Sequence, residues 1–274
     1  MDFFQLTEAQ RRDFDADGFL IIPQAIDAET VAHLTEAGDR LMKSFMDDPQ
    51  SVYLQRRDGI VQEEAFDSLI SNSTTVSRVV QLLSPNIHLH TTSLIYKKPQ
   101  PPDTTPPDRG WHRDIGIAED LGHRGLPRVG IKVCYCLTDF LEPSSGMTLM
   151  ARGSHQSGEP LAIRKGEPDP TTVVDPCLHA GDAIFFENRI FHTAAPNLSN
   201  STSKVIIYGY AYRWMKVDIN LDPPAEQAIE RASNDIDKQL LGVHRNVDTP
   251  PQALTDWAEH HGVNPERISW VVET

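Results

Sequence analysis

Apolar residues recur at helical spacing in the first third of the chain and at a period of two from residue 87 onward. Thr7 to Ala16 predicts a short helix, with Thr7 as its N-cap and Gln10 placed to complete a capping box. Asp17-Gly18 ends it, and Phe19-Leu20-Ile21-Ile22-Pro23 reads as a short buried strand. Asp27 caps a second helix to about Met46, with Val31, Leu34, Leu41 and Met42 near helical spacing. Residues 47–66 are polar and read as irregular, and a helix near 75–83 carries Val76, Val79, Val80, Leu82 and Leu83.

The strands follow. Residues 87–96, 129–137, 147–151, 171–174, 183–186 and 205–214 have strand character, with turn signals such as Pro143-Ser144-Ser145-Gly146 and Ala180-Gly181-Asp182 between them. Prolines 99, 101, 102, 106 and 107 make 99–108 a loop, and 115–128 is a Gly- and charge-rich segment expected to be mobile. Residues 223–241 and 254–261 return to a helical pattern. No repeat or linker interrupts the chain. Helices, then many short strands, then helices predict an α+β fold around a β sandwich or barrel. One domain over 1–274 is expected, with a core at about 87–214, a helical part at 7–83 and C-terminal helices at about 223–262.

Charge narrows the function. The net charge is −14 and no Lys/Arg run is present, which argues against nucleic acid as a partner. The same balance weighs mildly against strongly anionic substrates unless a local pocket overrides it. No apolar run approaches the roughly 18 residues of a membrane span. The start lacks a basic and apolar leader pattern, so a cytoplasmic location is expected. Cys134, Cys136 and Cys177 have neither zinc nor disulfide-framework spacing, and the first two suit buried reduced thiols.

The candidate chemistry lies in Asp108-Arg109-Gly110-Trp111-His112-Arg113-Asp114-Ile115-Gly116. On an extended strand His112 and Asp114 point to one face. His192 downstream supplies a third candidate, and two His with one carboxylate form the facial triad of non-haem Fe(II) oxygenases. A His-x-Asp pair by itself is commonly an ordinary surface or hydrogen-bonding pair. His88 and His90 also share a strand face, but packing in the core and pocket is the plainer expectation for them. His155 suits a turn-stabilising role, Trp111 packing beside the ligand strand, and Tyr208, Tyr210 and Tyr212 sheet packing. Arg113 and Arg128 either meet an acidic substrate or solvate the cavity mouth.

Several separate pieces resemble the phytanoyl-CoA dioxygenase family. They are Asp17-Gly18-Phe19-Leu20-Ile21-Ile22-Pro23, Trp111-His112-Arg113-Asp114, Gly146-Met147-Thr148-Leu149 through Gly153-Ser154-His155, and Ala180-Gly181-Asp182 followed by His192 and Pro196-Asn197. The resemblance covers roughly residues 7–214. It implies a double-stranded β-helix (jelly-roll, cupin-like) core with flanking helices. It also implies Fe(II) held by His112, Asp114 and His192, a chelating 2-oxoglutarate co-substrate, and O2. Related halogenases carry a small residue at the position of Asp114, so this carboxylate favours hydroxylation, desaturation or a related oxidation over halogenation.

One departure stands out. In the family an Arg on the strand after the distal His usually pairs with the distal carboxylate of 2-oxoglutarate, and here that region reads Ser203-Lys204. The two alternate in face, and Arg213 matches Ser203 in parity. The partner is therefore sought among Lys204, Arg213 and bases on other strands (Lys97, Lys98 or Lys132), with Ser203, Thr148 and Ser93 as further co-substrate contacts. Loops at 47–66, 99–128 and 156–170, with the C-terminal helices, are expected to shape a pocket for a small-molecule substrate such as a secondary metabolite or a lipid-like acid. The alternative is a jelly-roll metal- or ligand-binding protein without 2-oxoglutarate turnover. Oligomeric state is not legible.

Overall fold

A computed structural model describes residues 1–48, 50–101, 109–114, 116–216, 226–243 and 251–264. In chain order its strands are β1 (Phe19–Ile22), β2 (Tyr53–Arg56), β3 (Ile87–Lys97), β4 (Gly130–Cys136), β5 (Thr148–Ala151), β6 (Val173–Val174), β7 (Ala183–Glu187), β8 (His192–Ala194) and β9 (Ser203–Tyr212). The helices are α1 (Glu8–Asp17), α2 (Ala28–Met46), α3 (Gly59–Gln62), α4 (Ser73–Leu82), α5 (Ile117–Leu121), α6 (Glu226–Arg231), α7 (Asp235–Leu240) and α8 (Ala253–His260). The larger sheet runs β1-β7-β4-β9-β3-β2 and the smaller β6-β5-β8. Every pairing is antiparallel.

Local signals place the first elements. Thr7 Oγ1 accepts from the Gln10 amide and the Gln10 side chain accepts from the Thr7 amide, so the capping box forms. Asp27 caps α2 by accepting from the Thr30 amide at 2.8 Å. Gly18 closes α1 at φ 84°, and a Cβ there would run into the His155 ring. His155 in turn donates through Nε2 to the Asp15 carbonyl at 3.0 Å, tying the turn after β5 to the end of α1.

The large sheet separates two cores. Ile131, Val133 and Tyr135 of β4 and Ile206, Tyr208 and Tyr210 of β9 pack toward the helices, with Phe14, Leu34, Met42 and Val79. Cys134, Cys136 and Val205 point the other way, against Met147, Met150 and Phe186. This alternation is the period-two pattern of the sequence. Tyr208 and Tyr210 end in hydrogen bonds to the carbonyls of Phe66, Leu69 and Ile70, so these aromatics do serve sheet packing.

β3 breaks the alternation once. Its register against β9 shifts between Leu89 and Thr91, leaving His90 as the surplus residue of a β-bulge. Before the bulge Ile87 and Leu89 face the helical layer; after it Leu94 and Tyr96 do. Thr91, Ser93, Ile95 and Lys97 consequently face a cavity between the sheets.

Three expectations need correction. Residues 47–66 are not irregular throughout, since they hold β2, α3 and the start of a 3-10 helix at Glu64–Leu69. β2 is short and lies at the sheet edge, so its alternation is too brief to register as a pattern. Residues 115–128 carry the short helix α5. β9 stops at Tyr212, beyond which exposed Trp214 stacks on that ring at 5.8 Å. The proline-rich stretch beyond Pro101 and the predicted helix start at Pro223 lie outside the described residues.

Candidate active site

His112 and His192 meet through their backbones. The His112 amide donates to the His192 carbonyl at 3.1 Å, and the His192 amide returns the bond at 3.0 Å. Two residues on, the Asp114 amide donates to the Asn188 carbonyl at 3.1 Å. β8 is itself held on β5 through the Met150–His192 pair. The isolated His112–His192 bridge therefore fastens the candidate metal motif to the smaller sheet. One ligand atom from each of His112, Asp114 and His192 lies within 4.8 Å of the others.

Each imidazole is oriented by a carbonyl. His112 Nδ1 sits 2.8 Å from Gly110 O, and His192 Nδ1 sits 3.1 Å from Ile190 O. A carbonyl only accepts, so Nδ1 carries the hydrogen in both rings and Nε2 presents its lone pair. His192 Nε2 lies 3.4 Å from Asp114 Oδ2. Asp114 Oδ1 accepts from Lys132 Nζ at 2.6 Å, whereas buried Oδ2 has no hydrogen-bond partner among the described residues. A buried carboxylate oxygen without a donor is costly, and a cation held with the two Nε2 atoms is the partner that satisfies it. The donor set therefore fits a divalent metal bound on one face.

Charge states agree with that fit. Burial alone would push the Asp114 carboxyl up, but Lys132, His192 and His112 beside it bring it down to about 2. Burial pulls His192 down to about 4, with Asp114 opposing and His112 adding to the fall. At neutral pH the pair is a carboxylate and a neutral imidazole, the forms that ligate.

The cavity beside these residues measures about 300 Å³, the size of a small-ligand site. Ile95, Val205 and Ile207 contribute apolar wall, and Tyr53, Gln55, Arg57, Thr91 and Thr193 contribute polar wall. Loop contacts brace the segment that carries His112 and Asp114. Trp111 Nε1 donates to Pro168 O at 3.3 Å and Asp169 Oδ1 at 3.2 Å, and Asp169 also pairs with Arg109 at 2.9 Å. Arg113 lies over the Phe191 ring at 4.2 Å and donates to the Ser154 and Ser157 carbonyls.

The family model for phytanoyl-CoA dioxygenase (PhyH) matches residues 14–205. The chain belongs to the phytanoyl-CoA dioxygenase family. It is thus an iron- and 2-oxoglutarate-dependent dioxygenase, and the expectation of a binding protein without turnover falls. This dioxygenase is 22% identical over 231 residues to the ectoine dioxygenase of Stutzerimonas stutzeri, covering 72% of this chain and 74% of the relative. It is 26% identical over 164 residues to the ectoine dioxygenase of Streptomyces avermitilis, covering 56% and 52%. HygX from Streptomyces hygroscopicus, solved with nickel and 2-oxoglutarate bound, superposes with a TM-score of 0.61 at 18% identity, over 77% of this chain and 89% of HygX. The epimerase SnoN of nogalamycin biosynthesis, solved with Fe3+, alpha ketoglutarate and nogalamycin RO, gives 0.57 at 20% identity, over 74% and 82%. The fold shared with these structures is the double-stranded β-helix with cupin-like form.

The other candidate residues of the dioxygenase divide by side of the sheet. Ser93 and Thr148 line the cavity. Ser203 is buried on the inner face but is not among the cavity-lining residues, and Gly146 is packed against its hydroxyl. Lys204 faces the helices, with Nζ on both oxygens of Asp39 at 2.7 and 2.9 Å. Arg213 follows the far end of β9 and donates to Asn86 Oδ1 at 3.3 Å. Of the bases named on other strands, Lys98 binds the carbonyls of Met46 and Asp48, while Lys97 and Lys132 reach the cavity. Arg128 is committed to buried Glu187 and to Asp15. Sequence reading placed the 47–66 segment at the pocket but did not single out Tyr53 and Gln55 of β2, or Arg57 just after it, because the strand is too short to signal itself.

Proposed function

We propose that His112, Asp114 and His192 hold the iron, and that the enzyme hydroxylates a C–H bond of a small polar organic molecule. The observation that carries this is the partnerless Asp114 Oδ2, buried 3.4 Å from His192 Nε2 at the edge of the cavity. Iron with 2-oxoglutarate and O2 supplies the oxidising power toward the C–H bond when bound. The chain's own residues hold and exclude. Lys132 fixes one carboxylate oxygen of Asp114, so that the other points at the metal position. The Trp111–Asp169–Arg109 contacts fasten the ligand loop to the loop ending near residue 170 and shield one side from water.

The lining bears on substrate class. Gln55, Arg57, Thr91 and Thr193 give the cavity polar groups to orient a guest, beside a short apolar wall of Ile95, Val205 and Ile207. That supports a small polar metabolite over a lipid-like chain. Ectoine, for which both relatives are named, is likewise small and polar.

Anaerobic titration of the Fe(II) protein with 2-oxoglutarate tests the ligand assignment. The weak visible charge-transfer band of a chelated 2-oxo acid is expected in the wild type and absent in His192→Ala. Wild-type iron affinity in that variant would overturn the assignment. Succinate release stimulated by small polar compounds, with oxygen found in the product, then tests the reaction.

A further inference from the structure

The cavity has three cationic side chains among its lining residues: Arg57, Lys97 and Lys132. They differ in what already balances them. Lys132 is neutralised by Asp114 at 2.6 Å. Arg57 is exposed on the segment after edge strand β2. Lys97 is buried at 7% exposure, and its ammonium donates to the Gly146 carbonyl and lies 5.8 Å from the Tyr53 ring centroid. Among the described residues no carboxylate comes within ion-pairing distance of it. A buried ammonium held by one neutral carbonyl, with Asp175 acting on it only from beyond ion-pairing distance, has two protons left and no anion in contact, which is an expensive arrangement unless one arrives.

The co-substrate brings that anion. A chelating 2-oxo acid group leaves the second carboxylate of 2-oxoglutarate pointing away from the metal into the cavity. Gly146 lies four residues before Met150, the cross-strand partner of His192. Lys97 lines the same cavity as His112, Asp114 and His192, so a carboxylate extended from the metal position into that cavity meets its ammonium. Lys97 is also the cross-strand partner of Ser203. The base thus stands on β3 at the level where β9 offers only a hydroxyl. Burial pulls the Lys97 ammonium down to about 8, with Cys134 and Asp175 opposing, so it remains charged at neutral pH. We infer that Lys97 is the anchor of the distal carboxylate of 2-oxoglutarate, and that Lys204 and Arg213 take no part in holding it.

This rests on the iron and 2-oxoglutarate reading above, and the test separates the two. The Fe(II) protein is titrated anaerobically with 2-oxoglutarate and with 2-oxovalerate, which has the same chelating head and chain length but a methyl in place of the distal carboxylate. The wild type is expected to prefer 2-oxoglutarate by about 10- to 100-fold, the worth of a charge-assisted bond. Lys97→Gln keeps a donor for the Gly146 carbonyl but loses the charge. It should bring 2-oxoglutarate down to the affinity of 2-oxovalerate while leaving the latter within about twofold. Lys97→Arg should retain most of the preference, and Lys204→Met should change neither affinity by more than about twofold. A preference that survives Lys97→Gln, or one that Arg57→Gln or Lys204→Met abolishes instead, overturns the assignment. So does a Lys97→Gln variant that weakens both acids equally, because that marks a structural role. If the wild type gives no band with either acid, the underlying iron and 2-oxoglutarate reading has failed, and the Lys97 assignment falls with it. If it binds both acids equally, the Lys97 assignment alone has failed.

Discussion

His112 and His192 exchange both backbone hydrogen bonds, at 3.1 and 3.0 Å. The two segments that carry the proposed ligands are therefore joined by main chain, which leaves their side chains free to hold a metal. His112→Ala and His192→Ala should each abolish tight iron binding and leave the fold in place. Iron stoichiometry after anaerobic loading and a melting curve of the metal-free protein check this. A collapse in melting temperature for the exposed His112 position would mean that the ring, not the backbone, joins the segments.

Lys132 holds Asp114 without being placed to ligate the metal itself. Lys132→Met is expected to weaken Fe(II) binding by about 10- to 100-fold, the usual effect of losing a partner that orients a ligand. The melting temperature of the metal-free protein should change little. Unaltered Fe(II) affinity in an anaerobic titration would remove Lys132 from this role.

His88 gives a pH signature away from the metal. It is buried, and that burial, with His90 and Arg213 nearby, lowers it from 6.5 to about 4. The unfolded chain therefore takes up the proton first, and stability is lost as pH falls from 6.5 toward 4. By pH 5 this one residue should cost about 2 kcal/mol relative to pH 7. Urea unfolding of metal-free protein at the two pH values should show a smaller loss in His88→Leu by that amount. An equal loss in both proteins would mean that His88 takes its proton freely in the folded state.

Tyr135 is fully buried and donates its hydroxyl to Thr75 Oγ1 at 2.6 Å, joining β4 to α4. Thr75→Val strands that hydroxyl and should destabilise the protein by about 1–3 kcal/mol. Adding Tyr135→Phe should recover most of the loss, because neither polar group then remains. Denaturant midpoints of the two single variants and the double variant decide it; simple additivity would refute the coupling.

Much of this was legible in residue order. The cap of α1, the helical stripe of α2 and the alternating strands follow from local rules that burial enforces. His112 and Asp114 announce themselves by spacing and His192 by its place after Ala180-Gly181-Asp182. The opposite facing of Ser203 and Lys204 also follows from alternation, and the Asp39 contact of Lys204 shows its outward side. Tyr53, Gln55 and Arg57 were hidden because a four-residue edge strand has one buried position, Leu54, and one point makes no period. The choice among Lys97, Lys98 and Lys132 was hidden for a different reason. It depends on which face β3 presents at its far end, and a bulge resets that face without leaving a mark in the hydrophobic pattern.

The surplus residue at His90 divides β3 into two halves that are out of phase. The first half supplies the helical layer with apolar side chains, and the second supplies the reaction chamber with Thr91, Ser93 and Lys97. Were His90 drawn into the ladder opposite Gly209, the tenants of the chamber would swap: Leu94 and Tyr96 would move in, and Lys97 would be evicted to the helical side. Point changes along the second half alter the chamber one group at a time, whereas ironing out the bulge with every residue kept would rewrite it at a stroke. Within this strand the chain can vary in composition far more readily than in pairing.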